Sequence, residues 1–202
     1  MALSAQDKIL YVANKLGLST LGQMQGSTGA VYDVDTDLSG QIFTSASRHQ
    51  NPGITNVTQN EFEVNEALLV ETIAFYVTNA AGDVSNFQET YGSNAVIIFD
   101  LVIGNKRVMK DTPIFGAGSP YTFANVAQTT KTVGENNVQV FQPRHQVFME
   151  GAGILIPPQV QWYLDYRVFN IVTGAPITIT DAAPIGCYLF GTRVLLNFNT
   201  TI

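Results

Sequence analysis

Between Val160 and Phe169 apolar and polar positions exchange places residue by residue. Val160, Trp162, Leu164, Tyr166 and Val168 fall on one side; Gln161, Tyr163, Asp165, Arg167 and Phe169 fall on the other. A period of two with β-branched and aromatic residues predicts a half-buried strand. Pro157 and Pro158 stand just ahead of it, and proline has no backbone N–H to donate to a ladder. The pair therefore predicts a bend that launches the strand, or an unpaired edge.

The same reading extends along the chain after Asn60. "EALLVETIAFYVT" (66–78) is apolar on both sides, as a central strand of a two-layer protein should be. "AVIIFDLVI" (95–103) is followed by Gly104-Asn105 and "KRVMKD" (106–111), the pattern of a hairpin with a two-residue turn. Further strands are expected at 138–141 and 145–150, around Pro143, and at "PITIT" (176–180). The last is "CYLFGTRVLLNFN" (187–199), with Val194, Leu196 and Phe198 on one side. Counted together these are about eight strands with no helical pattern between them, which predicts an all-β fold. Unequal strands and long connections suit a single jelly roll, an eight-stranded antiparallel β-sandwich. An immunoglobulin-like sandwich is the rival, with shorter and more regular loops. No repeat of fixed period points to a propeller or solenoid.

The first sixty residues differ. "LSAQDKILYVANKLGLS" sets Ile9, Val12, Ala13 and Leu16 at helical spacing, with Ser4 as N-cap, Asp7 three residues on and Gly17 as a stop. So short an amphipathic helix needs a surface to pack on: its own domain, a neighbouring subunit or a membrane, the last being the least supported. From about Gly22 to Asn60 the chain is polar and without sustained period, which predicts an extended arm or loop-rich connection. The expected division is thus 1–60, helix and arm, and 61–202, β-sandwich.

Composition narrows the partners. Only 13% of the 202 residues are charged, against 46% hydrophobic, so much of the exterior must be Thr, Asn, Gln, Ser and Gly. An exterior covered by neighbours tolerates that more readily than a free monomer does. The net charge is −6 with ten Lys and Arg and no basic block, so strong direct nucleic-acid binding is not expected. No secretory signal is apparent and no run of eighteen apolar residues exists. The sequons at Asn56 and Asn199 carry little weight without secretion. The lone Cys187 excludes an internal disulfide and reads as a small buried hydrophobe.

Motifs that would carry catalysis are missing. His49 and His145 have no second ligand at metal spacing, and no GxSxG elbow is present. No enzyme activity and no cofactor are expected. "VYDVDTDLSG" places Asp33, Asp35 and Asp37 at alternate positions, able to converge on calcium. Leu38 stands where a calcium loop needs glycine and Thr44 where it needs glutamate, so a solvated acidic turn is the better reading. Lys106, Arg107 and Lys110 gather beside the expected hairpin, as a charged edge that discourages strand pairing or as a partner for an acidic neighbour. The glycine-rich 116–120 and 151–153 precede no helix and do not suggest a phosphate site. Trp162 shares the core side of its strand, leaving Tyr163 as the surface aromatic.

A helix and polar arm followed by a jelly roll resembles the coat proteins of small icosahedral viruses and bacteriophages. "GILIPPQVQWYLDYRV" and "IGCYLFGTRVLLNFNT" carry the likeness. It implies a structural virion protein, made in the host cytoplasm, that self-assembles through pentamers and hexamers or trimers into a closed shell with other virion proteins. The arm would contact neighbouring subunits through Ile9, Val12 and Leu16, and Tyr163 would lie at a further subunit contact. No active-site residues come with the likeness. The chain departs from it in lacking a basic arm, which fits a DNA phage with accessory proteins better than a self-packaging RNA virus. The alternative is a spike, receptor-binding or carbohydrate-binding sandwich module.

Overall fold

The structure, a computed structural model, describes residues 4–18, 24–44, 54–57, 60–78, 84–85, 90–92, 94–114, 131–133, 136–138, 145–148, 153–179 and 184–196. It is mostly β, with one helix. In chain order the strands are β1 (Gln25–Val34), β2 (Gln41–Ile42), β3 (Glu66–Thr78), β4 (Val84–Ser85), β5 (Ala95–Ile103) and β6 (Lys106–Ile114). They continue with β7 (Lys131–Val133), β8 (Asn136–Val138), β9 (His145–Phe148), β10 (Ile154–Ile156), β11 (Trp162–Asn170) and β12 (Ile185–Leu195). All ladders between these strands are antiparallel, and two sheets pack as a sandwich. One runs β1-β12-β3, with β10, β9 and β4 laid end to end along the far edge of β3. The other runs β2-β11-β5-β6, and β7 pairs with β8 apart from both.

The core lies between the sheets because the alternation in the sequence turns the apolar set inward. Leu68, Val70, Ile73, Phe75, Cys187 and Leu189 of the first sheet meet Ile97, Phe99, Leu101, Trp162, Leu164 and Tyr166 of the second. Trp162 is fully buried, with the rings of Phe43 and Phe62 at 4.7 and 5.6 Å. β10 and β11 belong to different sheets, and Pro157-Pro158 form the corner between them. Pro158 bridges to Phe62, Gln159 N–H donates to the Phe62 carbonyl at 2.9 Å, and Trp162 N–H donates to that of Asn60 at 2.8 Å. The β5–β6 turn is tight, with Gly104 at φ 61°, the positive value that the first residue of a II′ turn requires.

The helix α1 (Ala5–Leu16) is closed at both ends by its own sequence. Ser4 and Asp7 form a reciprocal capping box, and Gly17 adopts the left-handed stop. Its apolar side lies on the outer face of the first sheet. Val12 packs with Ala67, Leu69, Val194 and Leu196, and Leu16 flanks the same cluster. Ile9 lies so close over Gly26 that a Cβ there would stand 2.9 Å from its side chain. The ladder between β3 and β12 slips at Phe190/Gly191, leaving Glu71 as the extra residue. The bulge turns Glu71 outward, where one carboxylate oxygen accepts from Lys8 Nζ at 2.7 Å and the other from Thr192 Oγ1 at 2.8 Å. The helix is therefore pinned to its own sheet by an apolar face and one ion pair.

Three expectations change. Residues 25–42, read as arm, are part of the sandwich: all ten residues of β1 pair with β12, from Gln25↔Leu195 to Val34↔Gly186. "PITIT" does not become a strand over its described residues. A single bridge joins Phe169 to Pro176, which has no N–H to extend a ladder, and only Ile177 N–H returns to the Val168 carbonyl. The apolar face of the helix, expected on a neighbour, is used within the chain, and Val12 is wholly buried there. Of the strand expected at 138–141, residues 139–141 lie outside the described set.

Gly191 tests the bulge. A Cβ at this position would fall 1.8 Å from the Leu69 carbonyl oxygen, a backbone atom that cannot swing aside. Gly191→Ala is expected to lower the unfolding free energy by at least about 2 kcal/mol, seen as a lower urea midpoint with an unchanged slope.

Candidate interaction surface beside strand β1

Asp33, Asp35 and Asp37 do not converge. β1 lies in the first sheet and β2 in the second, and the two buried aspartates hold the corner between them. Asp33 Oδ2 accepts the Phe43 N–H at 2.7 Å. Asp35 Oδ1 accepts from the amide and hydroxyl of Ser39, both at 3.1 Å. Its Oδ2 accepts the Gly40 N–H and the Tyr166 hydroxyl, both at 2.8 Å. Asp37 is exposed and accepts from Thr36 Oγ1. Asp33 and Asp35 are buried, which corrects the expectation of a solvated acidic turn for all but Asp37, and the Asp35 oxygens are held by protein donors. Among the described residues no group of three His, Cys, Asp or Glu side chains is placed to hold a metal ion.

The other singled-out residues scatter. Ile9 and Leu16 are half-buried on the helix side that rests on the first sheet. Tyr163 is half-buried on the outer side of β11, opposite Val102. His49, Asn199 and residues 116–120 lie outside the described set. On β6, Arg107 pairs with the buried Asp100 at 3.1 Å, beside Arg167, which pairs with Asp111 at 2.7 Å. Lys106 and Lys110 are exposed and make no ion pair among the described residues.

The two long sheet edges are finished differently. β6 carries Lys106, Arg107, Lys110 and Pro113 and is interrupted by register shifts, devices that discourage strand addition. β1 carries no charge before Asp33 and no proline. Its upper half is covered by Asn56, an assignment that sequence reasoning missed and for which no local signal exists. Asn56 Oδ1 accepts the Tyr32 N–H at 2.7 Å, and its Nδ2 donates to the Ala30 carbonyl at 2.8 Å. The Asn56 amide and Thr55 hydroxyl both reach the Tyr32 carbonyl, at 3.1 Å. Even-numbered residues of β1 therefore point their polar groups away from β12, as antiparallel pairing requires. Below Ala30 the outward groups of Thr28 and Gly26 have no hydrogen-bond partner among the described residues.

Against this part of β1 lies a cleft of about 310 Å³. It is lined by Ser27 to Val31, by Asn56 and Val57, by Glu61 to Glu63, and by Glu66 with Arg193. Arg193 Nε and Glu66 form an ion pair. With three glutamates and one arginine, the lining carries a net charge of −2 when all are ionised. Two of its glutamates, Glu61 and Glu63, stand beside the Glu66–Arg193 pair, which gives this part of the edge an acidic lining. Comparison with family models, with curated proteins and with solved structures gives no match.

Two measurements follow from the buried polar groups. Tyr166→Phe removes one donor from the buried Asp35 carboxylate and is expected to cost about 1–2 kcal/mol in urea unfolding. Cys187 and Tyr76 supply a pH dependence. Burial, then the Asp33 carboxylate, holds the Cys187 thiol well above its ordinary 9.0. Burial, then Tyr188, lifts Tyr76 above its ordinary 10.0. Both raise the folded value, so their contribution is intact below the unfolded values. It is lost as the unfolded chain releases protons that the folded one retains. The urea midpoint is expected to fall as pH rises from about 9 to 11, and Tyr76→Phe should make that fall shallower.

Proposed function

We propose that this chain is the coat subunit of an icosahedral virion, of bacteriophage type, built on a jelly roll. The strand order carries the reading. With β4, β7, β8 and β9 set aside, eight strands remain, and in chain order they lie 1-8-3-6 in one sheet and 2-7-4-5 in the other. First pairs with last, second with seventh, third with sixth and fourth with fifth. An order of this kind supports one long antiparallel hairpin rolled into two layers, which is how a jelly roll is built. Lectin and cupin modules use it too, but a cupin site needs clustered histidines, and this chain has two in all.

Surface chemistry supports the coat reading. A charged fraction of 13% suits an exterior covered by copies of itself. The described residues leave four large hydrophobic side chains well exposed: Val64, Val108, Ile171 and Val172. Ile171 and Val172 sit on a turn fixed by Asn170, whose Oδ1 accepts the amides of Val172 and Thr173 at 2.9 and 3.1 Å. In this reading the protein performs no catalysis, and its partners are further copies and other virion proteins.

Light scattering with negative-stain microscopy of the purified chain, across a salt series, tests this. Closed particles, or pentamers and hexamers that grow into them, are the expected result. A discrete trimer that never grows would favour a spike or glycan-binding module, and a monomer at every concentration would overturn self-assembly.

A further inference from the structure

We propose that the acidic cleft beside β1 receives the basic β5–β6 hairpin of a second copy of this chain, head to tail. The contact rests on the self-assembly reading and specifies which surfaces meet. The two surfaces lie on opposite flanks of one subunit. The aspartate corner places β2 beside β1, and β6 is at the other end of the β2-β11-β5-β6 sheet. They also lie at the same end of the sandwich. Gly104 at the hairpin tip donates its N–H to the Gln161 carbonyl at 2.7 Å, and Phe62 in the cleft lining bridges to Pro158. A neighbour set side by side, strands roughly aligned, therefore brings one flank to the other without inversion. Such a heterologous contact repeats, and it closes into a ring when the rotation allows.

Three observations select this partner. The cleft lining has a net charge of −2, while the hairpin presents Lys106 and Lys110 without ion pairs among the described residues. Each flank also carries an exposed valine among its charges, Val64 at 63% beside Glu63 and Val108 at 45% between Lys106 and Lys110. Finally, Asn56 closes the β1 edge only as far as Ala30, and the outward polar groups of Gly26 and Thr28 have no hydrogen-bond partner among the described residues. The lysines that repel a second β6 are attracted to this flank, so the same charges forbid one pairing and favour the other.

The full-length protein is tested with Glu61→Lys/Glu63→Lys and with Lys106→Glu/Lys110→Glu, all at residues outside the core, with folding checked by circular dichroism. Each double variant is expected to weaken association by about tenfold or more at low salt in sedimentation velocity. An equimolar mixture of the two restores the opposite charges at every contact and should return to within about threefold of the unaltered protein. Zero-length carbodiimide coupling of mixed light and heavy chains should join Glu61 or Glu63 of one copy to Lys106 or Lys110 of another. Association indifferent to both variants, or a mixture no better than either alone, overturns this contact and leaves the coat reading standing. An unaltered chain that stays monomeric at every concentration and salt overturns both.

Discussion

The carboxylate of Asp35 is the constraint on which the sandwich depends. Two sheets joined by a short corner need their crossing chain to turn sharply without leaving amides unpaired in the interior. Asp35 takes the Ser39 and Gly40 amides and reaches across to the Tyr166 hydroxyl on β11. One side chain thus shapes the turn and fixes the distance between layers. Asp33 does the neighbouring work, holding the Phe43 amide where the backbone adopts φ 68°, unusual for a residue with a large side chain. At another crossing, from β10 to β11, Pro157-Pro158 accomplish the same change of sheet by withholding donors instead of supplying acceptors.

How far the sequence disclosed this depends on how each segment is buried. β3, β5, β11 and β12 were legible because one or both sides of each meet the core, and burial imprints its period on the residues. β1 was not legible, because Gln25 to Ala30 are small and polar for local reasons. Gly26 must let Ile9 cross above it, and the strand forms an edge. The three aspartates drew notice as chemistry-bearing residues, yet alternating carboxylates look alike whether they bind an ion or a backbone. What separates the two is where the nearby amides point, and that is fixed only by the corner. Asn56 is invisible by the same logic, since its role belongs to a strand more than twenty residues earlier.

The scarcity of charge acquires a pattern once the fold is known. Several ionised side chains are consumed in holding the subunit together: Lys8 with Glu71, Arg193 with Glu66, and Arg107 and Arg167 around Asp100 and Asp111. The Lys8–Glu71 pair sits where the helix crosses the β3 bulge, and Asp100 sits where β5 and β6 lose register, so these act on geometry more than on solubility. Among the described residues Glu61 and Glu63 lie beside β1, while Lys106 and Lys110 lie on β6 at the other end of the second sheet. In the proposed assembly such a separation of charge would set a direction of association, which a uniformly charged exterior would not.

The pairing of Gln25 with Leu195 also bears on timing. β12 lies between β1 and β3, contacting both along its length, so the first sheet has a gap in its middle until the residues up to Leu195 have been made. Contacts so distant in sequence are slow to form and leave hydrophobic edges uncovered in the meantime. During synthesis the β1 flank therefore cannot take its final shape before β12 is made, because that one strand supplies both its pairing partner and the arginine in its cleft. If the proposed assembly uses this flank, an incompletely folded chain would lack the surface needed to join it.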